Sequence, residues 1–147
     1  MATEPGQLER FIAELVALEG TVDPGIRAYP FKPPRAPELP AIWNWLPGES
    51  PQEKQTATMP ARVRDTIRIS ALLGVKHSDV DEEMYALVRY ADRFMAVLDP
   101  AFDRNQPLNG SVHRIKRTGM RTAIDDFPGV EVLCFEFFIE AQLDRQF

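Results

Sequence analysis

The feature that most narrows what this chain can become is an alternating run near its middle. Val63, Ile67, Ile69, Ala71 and Leu73 fall on one side of a two-residue period, with Arg62, Arg64, Thr66, Arg68 and Ser70 on the other. Successive side chains of a strand point to opposite faces, so the run predicts a half-buried β-strand, apolar on one face and wet on the other. Asp65 is the only break on the apolar face. At about 3.3 Å per residue, a strand of about thirteen residues would reach roughly 43 Å. A compact domain of this size is only about 40 Å across. The strand therefore spans the whole body unless a bend shortens it, and strands this long often project toward a neighbour.

The other elements must pack on it. Leu8, Phe11, Ile12, Leu15 and Val16 recur at three and four residues and predict a helix from Gly6 to Glu19, stopped by Gly20. Asp23-Pro24-Gly25 turns the chain into a short extended piece, Ile26–Tyr29. Five of the eleven residues from Pro30 to Pro40 are proline, a composition that excludes helix and favours extended backbone. Ala41–Leu46 is a β-prone run carrying both tryptophans, and residues 47–60 read as a long exposed loop. A second helix is expected over Asp79–Leu98, capped by Ser78, with Asp79, Asp81, Glu82 and Glu83 at its positive end. Its buried stripe would be Val80, Met84, Leu87, Val88, Ala91, Met95 and Leu98, and Asp99-Pro100 would close it. Ser111–Ile124 looks extended, and Asp125-Asp126-Phe127-Pro128-Gly129 reads as a turn. Val130–Ala141 is a strand apolar on both faces, with Leu133, Phe135, Phe137 and Ile139 on one and Val132, Cys134 and Phe138 on the other. Such a strand is either central or covered by another subunit. The order of elements predicts an α+β fold, an antiparallel β-sheet packed with two α-helices, as a single domain over residues 1–147.

Few residues suggest chemistry. The two histidines, His77 and His113, stand in no metal-ligand spacing, and the single Cys134 can make neither an internal disulfide nor a zinc pair. His77 reads as a residue that caps or precedes the second helix. Apolar neighbours would raise the pKa of Cys134, against a nucleophilic role. Asp79–Glu83 could attract a cation, but a helix N-terminus accounts for acids there. Asp125-Asp126 could be an acid/base pair, but turn chemistry accounts for it too. No phosphate-binding or dinucleotide motif is present. The expectation is a non-enzyme with no cofactor and no metal site. A net charge of −5 argues against a dedicated nucleic-acid binder. The N-terminus has no signal-peptide pattern, and no run is long enough to span a bilayer, so a soluble chain made in a reducing cytoplasm is expected, with no membrane partner.

Two groups could carry an interaction. His113, Arg114, Lys116, Arg117 and Arg121 share one extended segment, and Arg62, Arg64 and Arg68 another. If the two strands pair, the sheet gains a basic face that could meet nucleic acid or an acidic subunit, or simply face solvent. Trp43 and Trp45, two apart, would face the same side of a strand, as core filling or as anchors at a subunit interface.

Taken in order, these features resemble the tail terminator (tail completion) proteins of long-tailed bacteriophages. An amphipathic helix leads to Gly25–Tyr29, and a proline-rich link enters Leu39-Pro40-Ala41-Ile42-Trp43. A long alternating strand precedes an acid-capped helix, and the hairpin at Phe127–Val132 opens a hydrophobic final strand. The resemblance covers nearly the whole chain up to Leu143–Phe147. It implies a tail-tube-like fold and a homo-oligomeric ring, usually a hexamer, that caps the tail tube and stops its growth. The ring would join the tube protein to a head-side connector or stopper protein and leave a channel for viral DNA, with no specific recognition of it. The location implied is the virion neck, after assembly in the host cytoplasm. Trp43, Trp45, Arg62, Arg64 and Arg68 are then candidate subunit-interface residues. Arg114, Lys116, Arg117 and Arg121 are candidates to face the channel or a partner. The 47–60 loop is a candidate for contact along the tube axis. Another neck component, such as a head-completion or stopper protein, and a host peptide-binding domain using the Trp-Pro surface are the alternatives.

Overall fold

The computed structural model describes residues 6–46, 55–56, 62–76 and 80–146. Helix α1 (Gln7–Glu19) leads into β1 (Arg27–Tyr29) and β2 (Ala41–Trp45). The two-residue β3 (Gln55–Thr56) precedes β4 (Arg62–Lys76), helix α2 (Val80–Phe102), a 3-10 turn at Pro107–Gly110, β5 (Arg114–Phe127) and β6 (Val130–Gln146). The chain is α+β, as expected. Its five main strands lie in the order β1-β2-β4-β6-β5, with β3 pairing off that path on β4.

The sheet is mixed, not antiparallel throughout, because β1 pairs with β2 in parallel. Parallel neighbours need a crossover of about a dozen residues, and the proline-rich connection 30–40 is that crossover. It passes over one face of the sheet while both helices pack on the other. The doubly apolar β6 is the central strand, held between β4 and β5 along almost its whole length. Its dryness on both faces therefore has an explanation within one chain. β6 runs to Gln146, well past Ala141, because the alternating β4 offers it pairing partners as far as Arg62.

The helix-covered face holds the main core. Ile67, Ile69, Ala71, Leu73 and Val75 of β4 and Phe137, Ile139, Ala141 and Leu143 of β6 meet Phe11, Ile12 and Leu15 of α1. From α2 come Leu87, Ala91, Phe94, Leu98 and Phe102, so the stripe is rotated from the expected one. Val88 is exposed, Met84 and Met95 are half-buried, and Phe94 lies stacked on Phe137 at 4.1 Å. The steps 87, 91, 94, 98, 102 are a regular helical repeat that carries α2 through Pro100 to Phe102, one turn beyond the expected stop. Burial of Phe102 accounts for that turn, at roughly 2 kcal/mol for a side chain of its size. Ser78 and Asp79 lie outside the described residues, as do the side chains of Val80, Asp81, Glu82 and Glu83.

Only Pro128-Gly129 forms the hairpin turn, with Asp125, Asp126 and Phe127 belonging to β5. Pro128 fixes a negative φ and Gly129 takes φ +77°, the combination a type II turn needs at its two central positions. No helix among the described residues is long and apolar enough to cross a membrane.

Candidate functional site

The outer face of the sheet has two unlike halves. At one end Trp43, Ala41, Leu72, Phe127, Val132 and Cys134 form a second small core, with Tyr29 and Leu39 of the crossover side packed against it. Trp43 lies on Gly74, where even a Cβ would come within 2.6 Å of its ring. The indole Nε1 donates to Asp125 Oδ2 at 2.8 Å. Lys32 of the crossover donates to Asp125 Oδ1 at 2.7 Å and to the Asp126 carbonyl at 2.8 Å, with its ammonium 4.7 Å from the centre of the Phe127 ring. The proline-rich segment is thus a cover, tied down at Lys32. Asp125, read from sequence as a turn residue, is the acceptor that joins cover to core.

This packing removes Trp43 from the candidate interface residues, since its ring is fully buried within the chain. Trp45, on the same face, remains half exposed. Burial also disposes of the thiol. Cys134 is pushed up to about 12, first by burial and then by the neighbouring Asp125 carboxylate.

The other half of the outer face is charged, and strand register decides how. Arg68 of β4 and Lys116 of β5 both pair across Glu140 of β6. Two steps along the same face, past Phe138, Arg121 pairs with Glu136 and binds it at 2.7 Å. Arg114 lies beside Gln142. The expected basic face is therefore a mixed one, because the central strand places Glu136 and Glu140 between the cations. Arg62 and Arg64 are in β4, but their side chains lie outside the described residues, as does His77.

A β-bulge between Arg117 and Gly119 settles the grouping within β5. An extra residue reverses which face the following side chains take. Arg121 consequently joins Arg114 and Lys116 on the outer face, while Arg117 points to the helix side. There it makes a two-pronged bond to Asp99 of α2 at 3.1 and 2.9 Å, which holds it more firmly protonated than an ordinary arginine. Arg117 is thus a fastener of helix to sheet, on the opposite face from Arg114, Lys116 and Arg121.

Apolar surface remains at both edges of the sheet. On the β1 side, just past the ends of β1 and β2, a groove of about 720 Å³ is lined by Leu8, Ile12 and Val16 of α1 with Pro30, Phe31 and Leu46. Phe31 is 56% exposed and Trp45 50%. At the opposite edge, β5 shows Met120 (46%) and Ile124 (56%), which pair with Phe137 and Leu133 and so lie on the helix-bearing face, exposed at its margin. Most of the 47–60 loop lies outside the described residues, apart from Gln55–Thr56 in β3.

Sequence reasoning missed one polar pair, Glu19 and Asn44, both buried between α1 and β2. A signal was present. Glu19 continues the spacing Leu8, Ile12, Leu15, and Asn44 alternates with the two tryptophans. Among the described residues no group of three or more His, Cys, Asp or Glu could hold a metal ion. No protein-family profile matches the chain, and no curated protein shows significant similarity to it.

Proposed function

We propose that this chain is a non-enzymatic structural subunit that closes into a homo-oligomeric ring, as the tail terminator proteins that its sequence resembles do. On this reading a ring, typically a hexamer, caps a phage tail tube, stops its elongation and joins it to the head-side connector while viral DNA passes through the lumen.

The observation that carries the proposal is the pair of unlike apolar patches at opposite edges of one sheet. A ring needs a heterologous contact, in which one patch meets a different patch on the next copy. The groove on the β1 side is concave and bounded by a helix, whereas the β5 edge is an extended strand bearing Met120 and Ile124. A self-complementary dimer would need only one of them. The mixed charge of the outer face suits a lumen or a protein partner, since exposed Arg114 and Lys116 can attract phosphate without reading a sequence.

The test is to block synthesis of the protein in a phage that encodes it and to image the lysate by negative stain. Headless tubes of uncontrolled length are the expected result. Tails of normal length beside unjoined capsids would assign the chain to the head side of the neck, and intact infectious particles would end the proposal.

A further inference from the structure

Helix α1 meets strand β2 through two polar side chains sealed from water. Glu19, in the last turn of the helix, is fully buried, and Asn44 is 3% exposed. Asn44 Nδ2 donates to Glu19 Oε1 at 2.6 Å and to the Tyr29 main-chain carbonyl at 3.0 Å. Those two bonds use both amide hydrogens. They leave two buried atoms with no partner, Glu19 Oε2 and Asn44 Oδ1.

Both orphans are acceptors if Glu19 is ionised, so neither can satisfy the other. Turning the amide over would not help, because it would set Asn44 Oδ1 against the Tyr29 carbonyl. A single hydrogen removes both deficits. We infer that Glu19 is held as the neutral carboxylic acid, its proton on Oε2 and donated to Asn44 Oδ1, so that acid and amide close a two-bond ring clasping α1 to the sheet. The Asn44 amide then has both N–H donors and its carbonyl oxygen engaged, and the Glu19 carboxyl has one donor and one acceptor in use. Buried polar groups are almost always matched in this way.

The surroundings favour the neutral form. On the elements around the pair, Asp23 is joined to Arg93 of α2, Arg27 of β1 lies 3.9 Å from Glu38, and Glu14 on α1 accepts from Asn109. None of these charges sets the acidity of Glu19. Burial does, raising its carboxyl to about 8 against a smaller lowering by the Asn44 bond. The sign of the linkage follows. The folded chain holds a proton that the unfolded chain releases near its ordinary value of 4.5. The clasp is therefore at full strength in acid, weakens as pH rises through that window, and is lost above about 8.

The measurement is thermal unfolding of the intact chain against pH, compared with Glu19→Gln. Glutamine can donate to Asn44 Oδ1 and accept from Nδ2 but cannot ionise. Wild type is expected to lose about tenfold in its folding constant per pH unit relative to Glu19→Gln within the window. Parallel profiles for the two chains would overturn the inference. Carboxyl-¹³C NMR of glutamate-labelled wild type decides independently, even if the variant fails to fold. One glutamate should titrate far above the rest, and a single ordinary titration shared by all of them would refute the clasp.

Discussion

The two faces of the sheet are built on the same three long strands, β4, β6 and β5, yet they are held in different ways. The helix-covered face is closed by area. Two amphipathic helices lay Phe11, Leu15, Leu87, Phe94 and Leu98 across it, with Arg117–Asp99 and Glu19–Asn44 as polar ties at its margins. The outer face is closed by points. A proline-rich crossover seals one half through Lys32, Asp125 and the indole of Trp43, and charged rows occupy the other half. Area burial is strong and indifferent to detail, whereas point fastening is weaker but leaves surface for a partner. The same polypeptide thus has one face closed by packed side chains and another whose charged half stays open to solvent.

Substitutions on each face should break this contrast in a graded way. The largest loss is expected from Phe137→Ala, which empties a fully buried site stacked on Phe94 and should cost about 3–5 kcal/mol in denaturant unfolding. Gly74→Ala acts across the sheet, pressing a methyl into Trp43 and Val132, and should cost about 1–3 kcal/mol with a change in tryptophan fluorescence. Lys32→Ala unties the crossover and should cost only about 1 kcal/mol, since Asp125 keeps its bond from Trp43. Its clearer sign is local: reagents should label the buried Cys134 thiol faster than in wild type. Labelling at the wild-type rate would mean that Lys32 does not hold the cover down. Arg121→Ala removes an exposed guanidinium from its pair with the largely covered Glu136 and should change stability by about 1 kcal/mol or less, with the difference fading in salt. A large effect there would show that the charged half is also part of what holds the fold.

The sequence made the area-built face easy to read and the point-built face hard. Periodicity located α1, β4 and the double dryness of β6, because each is a repeated local pattern. It placed α2 but rotated its stripe, since Val88 and Met95 satisfy helical spacing as well as Phe94 does, and only the packing partner Phe137 selects among them. The parallel β1–β2 pair was not legible, because proline content speaks of extended backbone and not of where that backbone crosses. The basic group was read by proximity in sequence. Two long-range facts then regrouped it: a bulge that turned Arg117 to Asp99, and a central strand that placed Glu136 and Glu140 among the cations. Trp43 and Trp45 share a face as their spacing implied, but the crossover covers only one of them.

The ring proposal stands or falls on whether the two edge patches meet. The direct measurement is cross-linking in assembled particles that carry Phe31→Cys and Ile124→Cys in one chain, treated with a short bifunctional thiol reagent. The proposal predicts a ladder of covalent oligomers ending at a closed ring, and no ladder from either single variant. A dimer formed by Ile124→Cys alone would mean that like meets like. That result, or the absence of any ladder from the double variant, would contradict a heterologous ring built through these edges.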